Sequence, residues 1–276
     1  MSVLLRPLTL GELLDRAFQI YRSRFVLLVG IASIAYLPLF VIQAATLWAP
    51  KTFSLSASAS LGVVLGFLVA LVLRLLGAAA ANAAIVMVVS AAYLERPITL
   101  REAYSRVSGM LLRVFFIMIG AGLGIGVGLL LLIVPGVVLF LMWALAIPVA
   151  VLEDTGLGES LSRSRFLTAG HRSRVFVIYL LYFVLVFALE FSLLAPLGAM
   201  VALKGHGVAG AAAATPLISA ASVVLSFILE SLLTPILAVC LSLMYYDERV
   251  RKEAFDIHFM MSALGGGQTA SATAAS

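Results

Sequence analysis

The stretch VFFIMIGAGLGIGVGLLLLIVPGVVLFLMWALAIPVAVL runs from Val114 to Leu152 and holds 39 residues without a charged side chain. About 20 helical residues cross a hydrocarbon core of ~30 Å, so this stretch is too long for one crossing. Pro135 and Gly136 stand near its middle, and this pair strongly disfavours a continuous helix. The stretch therefore predicts two membrane spans joined by a tight turn at Pro135 and Gly136.

The rest of the chain is similarly apolar. Of its 276 residues 63% are hydrophobic and 11% are charged, whereas an ordinary soluble domain has roughly 45 to 50% and about 25%. This composition excludes a water-soluble globule. Four further apolar runs reach span length, which predicts an all-α polytopic membrane protein with six transmembrane helices, over residues 25–48, 61–94, 114–152 (two spans), 175–203 and 216–246.

The basic residues predict the orientation of these spans, because cytoplasmic loops hold the excess of Lys and Arg. Fifteen of the 18 basic residues fall on one side of the predicted topology, and the other side has only Lys51 and Lys204. We therefore expect a multi-pass protein of a bacterial inner membrane with both termini in the cytoplasm. Topology also explains the net charge of +5, so we expect no nucleic acid as partner. The arginines instead favour anionic lipid headgroups on the cytoplasmic side as partners.

An internal repeat precedes two of the spans. RPLTLGELLDR occupies residues 6–16 and RPITLREAYSR occupies residues 96–106. In each copy a Thr can cap a helix while the Glu three residues later reaches back to the cap amide, and an Arg follows four residues after that Glu. The copies therefore predict capping boxes and helical ion pairs, formed by Thr9, Glu12 and Arg16 and by Thr99, Glu102 and Arg106.

A weaker third copy contains Glu159 and Arg163. The three copies predict amphipathic interfacial helices before spans one, three and five. They divide a single membrane domain over residues 1–261 into parallel units at 6–94, 96–152 and 156–246. Residues 262–276 are small and polar, which predicts a disordered C-terminal tail.

Three segments carry a family resemblance, namely RPLTLGELLDRAFQIYRSRF, IVPGVVLFLMWALAIPVAVLED and LSLMYYDERVRKEAFD. With them the chain resembles the glycerophosphoryl diester phosphodiesterase membrane domain family and related uncharacterised bacterial membrane proteins. In that family the domain sometimes precedes a soluble phosphodiesterase barrel, which these 276 residues do not contain. The resemblance implies a role associated with lipids or accessory to glycerophospholipid metabolism, and it supplies no catalytic residue.

Polar side chains inside the predicted spans are candidates for function, because charges in a bilayer are costly. Counting from the cytoplasmic ends places Glu190 and Glu230 at one level, with Arg74 about a turn further out and Asn82 two turns inward from Arg74. Three interpretations follow: an ion pair that orients helices, a binding or proton-coupling site in a polar cavity open to the outer leaflet, or side chains that reach the outer interface.

Span three carries glycines at every second position. A spacing of four places Gly120, Gly124 and Gly128 on one side of the helix, with Gly122 and Gly126 roughly opposite. Such small residues let neighbouring helices approach closely. We therefore expect helix packing on both sides of this span.

Nothing in the sequence predicts catalysis. The three histidines stand far apart and the single cysteine, Cys240, has no internal partner, so we expect neither a metal, a cofactor nor a disulfide. The prediction is a non-enzymatic integral membrane protein, and the alternative is a small transporter or channel using the Arg74, Glu190 and Glu230 cluster. A water-accessible cavity at that cluster would favour transport, whereas a dry ion pair would favour a structural role.

Overall fold

The structure is a computed structural model and describes residues 8–48, 57–93, 96–204 and 208–273. Within these residues the regular secondary structure is helical throughout. Ten helices follow one another, α1 Leu10–Ser23, α2 Phe25–Trp48, α3 Ala57–Tyr93, α4 Leu100–Ser108, α5 Leu111–Leu131, α6 Ile133–Met142, α7 Ala146–Leu152, α8 Leu157–Thr168, α9 Arg172–Lys204 and α10 Val208–Thr273.

Six segments are long and apolar enough to cross a membrane, which confirms the predicted all-α polytopic fold. They cover Phe25–Ala45, Val64–Tyr93, Leu111–Leu131, Ile133–Leu152, Arg172–Leu193 and Ile218–Glu253. Helices α6 and α7 together form the fourth span. Lys51 and Leu94, which the sequence places after span one and at the end of span two, lie outside the described residues.

Helices α1, α4 and α8 each precede a pair of spans. The same unit, a short helix followed by two spans, therefore occurs three times. Helices α1 and α4 are amphipathic and bury their apolar sides, with Leu13 and Ala17 buried on α1 and Ala103 and Val107 buried on α4. We call the end of the bundle formed by α1, α4 and α8 the basic end, because most of the arginines lie there.

Both predicted capping boxes form. The Thr9 N–H donates to the Glu12 carboxylate at 2.8 Å, and the Thr99 N–H donates to the Glu102 carboxylate at 2.9 Å. These hydrogen bonds from the Thr99 backbone and hydroxyl, together with the charge of Arg106, hold the pKa of the Glu102 carboxyl below its usual value. The boxes fix where α1 and α4 begin.

Aromatic side chains hold the same two helices on the bundle. The Arg16 guanidinium lies over the ring of Tyr93, 5.4 Å from its centroid. The Tyr104 hydroxyl donates to the carbonyl of Ile31 at 2.6 Å, and burial raises the pKa of Tyr104 to about 12. Helix α1 is thereby fixed to α3, and α4 to α2.

The third copy of the repeat departs from the first two. Glu159 accepts the N–H of Gly156 at 3.4 Å, at the start of α8. Arg163, however, forms its ion pairs with Glu153 and Glu253 rather than with Glu159. The spacing of four residues predicts Glu159 as the partner, and this is wrong, because the Arg163 guanidinium contacts the end of α7 and α10 instead.

The central apolar stretch turns at Leu132, three residues before the predicted breaker. Leu132 has an extended backbone between α5 and α6, and Pro135 lies in the first turn of α6. Proline fits there because the first helical N–H groups have no partner within the helix. Gly136 is needed for a different reason, since a Cβ at this position would come within 2.6 Å of the backbone nitrogen of Leu129 on α5.

A second interruption divides span four between Met142 and Ala146, just before Pro148. Ser164 on α8 bridges it, because its hydroxyl donates to the Met142 carbonyl at 2.8 Å and accepts the Leu145 N–H at 3.1 Å. The hydroxyl of Thr168 also donates to Met142, at 3.2 Å. A broken helix in a membrane needs such partners, because lipid offers no hydrogen bonds to freed backbone groups.

We expect Ser164→Ala to destabilise the protein by about 1 to 3 kcal/mol, because the buried Leu145 N–H would lose its partner. Ser162 is exposed on the same helix, so Ser162→Ala is the matched control and is expected to change little. Thermal unfolding of the two variants in detergent measures the difference. Equal unfolding temperatures would show that the interruption does not depend on α8.

The glycines of α5 pack on one side only. A Cβ on Gly120 would lie 2.8 Å from Leu157 and one on Gly124 would lie 2.5 Å from Trp143, while one on Gly128 would lie 3.0 Å from Gly136. Added Cβ atoms at the two opposite glycines, 122 and 126, meet nothing within 4 Å. The prediction of close packing on both sides is therefore wrong, because the hairpin folds back along a single face of α5.

Helix α10 is the central element and packs against α2, α3 and α9. Its backbone continues as helix to Thr273, whereas the sequence predicts a disordered tail from residue 262. No proline follows Pro235 to stop the helix. Residues 274–276 lie outside the described residues.

Candidate functional site

An apolar groove runs between the α5–α6 hairpin and α9. Its volume is about 330 Å³. The hydroxyl of Tyr179 is the only polar side-chain group in a lining formed by Ile125, Leu129, Gly136, Val137, Phe140, Leu141, Phe176, Tyr179, Leu180 and Phe183. Leu180 is 47% exposed and Phe183 is 56% exposed, so the groove opens sideways toward the bilayer.

Short elements and aromatic rings shape this groove. Helix α6 has only ten residues and meets α9 through the rings of Phe140 and Tyr179, whose centroids lie 4.4 Å apart. Gly136 lets α6 lie directly against α5. The ring of Phe183 follows Tyr179 along α9 at 6.3 Å. Helix α6 therefore lies close against α5 but meets α9 through the contact of the Phe140 and Tyr179 rings. The space between α5 and α9 stays open.

Arg172 is the first residue of α9 and precedes Phe176, the first residue of α9 in the groove lining, by one helical turn. Phe176, Tyr179 and Phe183 follow it at intervals of four, seven and eleven residues, which places them within about 40° of Arg172 around the helix. The Nε of Arg172 is buried without a hydrogen-bond partner among the residues that the structure describes. A cationic group therefore stands in line with the apolar lining of the groove.

A second cavity, of about 300 Å³, lies behind the groove and shares Ile125, Phe140 and Tyr179 with it. Asn82 contributes a polar group to its lining, and the Asn82 amide donates to the carbonyl of Ala78 on its own helix at 2.8 Å. The structure thus places Asn82 in the middle of the bundle beside the interruption of span four.

A third cavity, of about 180 Å³, is lined mainly by polar groups and lies between α2, α3 and α10. The guanidinium of Arg74 contacts the carboxylate of Glu230 there at 2.5 Å. Tyr36, Gln43 and Ser226 add polar groups to the lining. Arg74 and Glu230 lie 19 and 17 residues from Tyr93 and Asp247, or about 25 to 28 Å from the basic end at 1.5 Å per residue.

The predicted four-residue cluster is therefore divided among three places. Arg74 and Glu230 meet, Asn82 lines a different cavity, and Glu190 is exposed on α9. Within the described part of the chain, Glu190 has no ion-pair partner. Depth counting placed Glu190 level with Glu230 and Arg74 about a turn further out, within reach of a long side chain, but it carries no information on which way a side chain points around its helix.

Sequence reasoning missed a buried charge network at the basic end. Asp247 and Glu248 have fully buried side chains, and both contact Arg174, at 2.6 and 3.2 Å. Arg251 donates to the same Asp247 at 2.9 Å, and the Nδ1 of His171 lies 2.8 Å from Glu248. The available signal was the pair of acids that directly follows span six, with an Arg four residues after the first acid.

This network joins distant parts of the chain. Leu8, just before α1, donates its N–H to Asp247 at 2.6 Å and accepts a hydrogen bond from Arg174 at 2.9 Å. Nearby, Glu153 at the end of α7 accepts hydrogen bonds from Arg163 at 3.1 Å and from the Tyr245 hydroxyl at 2.8 Å. The start of α1, the end of α7, the part of α10 around Asp247, and α8 and α9 are thereby tied together.

Neither a metal site in the described part of the chain nor a similar known protein identifies the chemistry of this chain. Within the described residues, no group of three or more His, Cys, Asp or Glu side chains is arranged to hold a metal ion. No family model, curated protein or solved structure matches this chain. The geometry of the site therefore carries the functional argument.

Proposed function

We propose that this integral membrane protein binds an anionic phospholipid and has a non-catalytic, accessory role. One acyl chain occupies the groove between the α5–α6 hairpin and α9, and the headgroup lies against Arg172. The observation that carries the proposal is the apolar groove lined by Phe176, Tyr179 and Phe183 of α9. By helical spacing, Arg172 at the start of α9 falls on the same face.

The chemistry of the groove fits an acyl chain better than a polar solute. Among the described residues its lining is apolar apart from the Tyr179 hydroxyl, and it opens sideways where lipid surrounds the spans. Phe183 lies about 16 Å from Arg172 along α9 at 1.5 Å per residue, so an acyl chain can follow the groove while its phosphate stays near the interface. A phosphate would also supply the partner that the buried Nε of Arg172 lacks.

We propose further that the basic end faces the cytoplasm of a bacterial inner membrane, with both termini on that side. The excess of arginine at this end supports the orientation. The contact between Leu8 and Asp247 supports a common side for the start of α1 and the end of span six. Arginines on α1 and α4 would add attraction to anionic headgroups.

The resemblance to the glycerophosphoryl diester phosphodiesterase membrane domain family suggests the area of metabolism in which this lipid binding takes part. We propose a role accessory to glycerophospholipid metabolism. The groove supports a carrier or scaffold role, because its lining offers only the Tyr179 hydroxyl and holds no acid, base or activated nucleophile.

Filling the groove tests the proposal. We expect Leu180→Trp to lower the binding of dioleoylphosphatidylglycerol about tenfold, or about 1.4 kcal/mol, because the indole occupies the space of the acyl chain. Val184→Trp is the matched control, since Val184 lies one turn further along α9, is 57% exposed and does not line the groove. Native mass spectrometry of the detergent-solubilised protein measures lipid retention. Equal retention by the two variants would refute the groove as the site.

A second candidate function is a small transporter or channel, and the polar cavity at Arg74 and Glu230 is the observation that favours it. The cavity is lined by both members of the ion pair, far from the basic end. Efflux of small polar solutes from vesicles that contain the wild-type protein, compared with efflux from vesicles that contain the Glu230→Gln variant, would test this function.

A further inference from the structure

We infer that the cavity at Arg74 and Glu230 is a binding site for a zwitterion, a ligand that carries an ammonium group and an anionic oxygen group a few bonds apart. The phosphate or carboxylate would bind the guanidinium, and the ammonium would bind the carboxylate. The inference names the ligand class for the second candidate function. It does not rest on lipid binding in the groove, which lies between other helices.

The balance of charge selects this class of ligand. Arg74 and Glu230 carry one positive and one negative charge within 2.5 Å of each other, so the cavity is neutral when it is empty. A zwitterion keeps it neutral, whereas an anion or a cation alone would leave a net charge in a site that three helices partly enclose. Such an uncompensated charge is disfavoured to the extent that the site is shielded from water.

The ion pair is open to a ligand. The side chain of Arg74 is 54% exposed and that of Glu230 is 26% exposed. A guanidinium has five N–H donors in a planar fork, and the contact with Glu230 uses Nη1. A second oxygen group can therefore bind Arg74 beside Glu230.

The size and the remaining lining suit a small polar group. A volume of about 180 Å³ corresponds to about six water molecules at ~30 Å³ each, which accommodates an amino acid the size of glycine or the headgroup of phosphatidylethanolamine. Tyr36 and Ser226 offer hydroxyls, and the Thr234 hydroxyl lies 3.5 Å from that of Tyr36. These neutral groups can bind a zwitterion without changing the net charge.

A series of soluble probes tests the charge selection on the unmodified protein. Glycine, acetate and methylammonium are each added to the full chain in detergent, and thermal unfolding is recorded. The inference predicts stabilisation by glycine that exceeds stabilisation by either ion, if the site accepts soluble zwitterions. In a second arm, native mass spectrometry compares dioleoylphosphatidylethanolamine with dioleoylphosphatidylglycerol, in the Leu180→Trp background so that the groove does not contribute.

The two arms distinguish the sources of the ligand. Preference for the ethanolamine lipid without an effect of glycine identifies a lipid headgroup, and an effect of glycine identifies a soluble zwitterion. Both results support the inference. No preference in either arm, or a measurable stabilisation by acetate that equals or exceeds that by glycine, would overturn it.

Variants locate the site. We expect Glu230→Gln to weaken binding of the preferred zwitterion about tenfold and to raise binding of acetate or the glycerol lipid, because Arg74 then carries an uncompensated charge. Glu190→Gln makes the same chemical change in another span, outside the cavity, and is expected to retain wild-type binding. Loss of zwitterion binding in both variants, or in neither, would contradict the assignment to this cavity, and the wild-type probe series stands even if Glu230→Gln does not fold.

Discussion

Arg174→Gln is expected to abolish recovery of folded protein. Arg174 is 15% exposed and contacts Asp247 and Glu248, both of which have fully buried side chains. Removing one partner from a buried ionic network leaves an uncompensated charge, which costs about 3 to 5 kcal/mol. The carbonyl of Leu8 would also lose one of its donors. Size-exclusion chromatography after detergent extraction measures the fraction of monodisperse protein.

Arg249→Gln provides the control for this prediction. Arg249 lies on α10 two residues after Asp247 and pairs with Glu253, but both side chains are substantially exposed. An exposed ion pair contributes about 0 to 1 kcal/mol, so this variant should be recovered like the wild type. If Arg174→Gln were recovered equally well, the network at the basic end would not hold the bundle together.

The second large effect is expected for Gly77→Ala, at the closest approach of α2 and α3. A Cβ on Gly77 would lie 2.6 Å from the backbone carbonyl oxygen of Ala35. Because backbone cannot move aside as a flexible side chain can, the two helices must separate, at a cost of about 1 to 3 kcal/mol. The unfolding temperature in detergent should fall.

Gly66→Ala makes the same substitution eleven residues earlier on α3, where a Cβ would meet nothing within 4 Å. Alanine is favoured over glycine in a helix by about 0.5 to 1 kcal/mol, so this variant should be unchanged or slightly more stable. The opposite signs of the two effects identify close helix packing as the cause. A lower unfolding temperature for Gly66→Ala as well would contradict this explanation.

Features that depend on local sequence were predicted well. The spans follow from the length of apolar runs, and the caps at Thr9 and Thr99 follow from a spacing of three residues to a Glu. The contact of Arg74 with Glu230 was accessible to depth counting, because each residue on a spanning helix advances by a fixed rise. The exposed position of Glu190 was not accessible, since rise along a helix does not fix direction around it.

Features that depend on tertiary contacts were not predicted. The interruption after Met142 is stabilised from outside the local sequence, by Ser164 on another helix. The predicted turn between spans three and four lies at Leu132, three residues from the predicted position. The groove exists only because Gly136 brings α6 against α5 while Phe140 keeps contact with Tyr179. No pattern within a single span carries this information.

A structure of the protein in nanodiscs that contain dioleoylphosphatidylglycerol would test lipid binding most directly. We predict an elongated density between the α5–α6 hairpin and α9, in contact with Phe176 and Phe183, with headgroup density at the Arg172 guanidinium. A groove closed by direct packing of α9 on α5, or Arg172 paired with a protein carboxylate, would contradict the proposal.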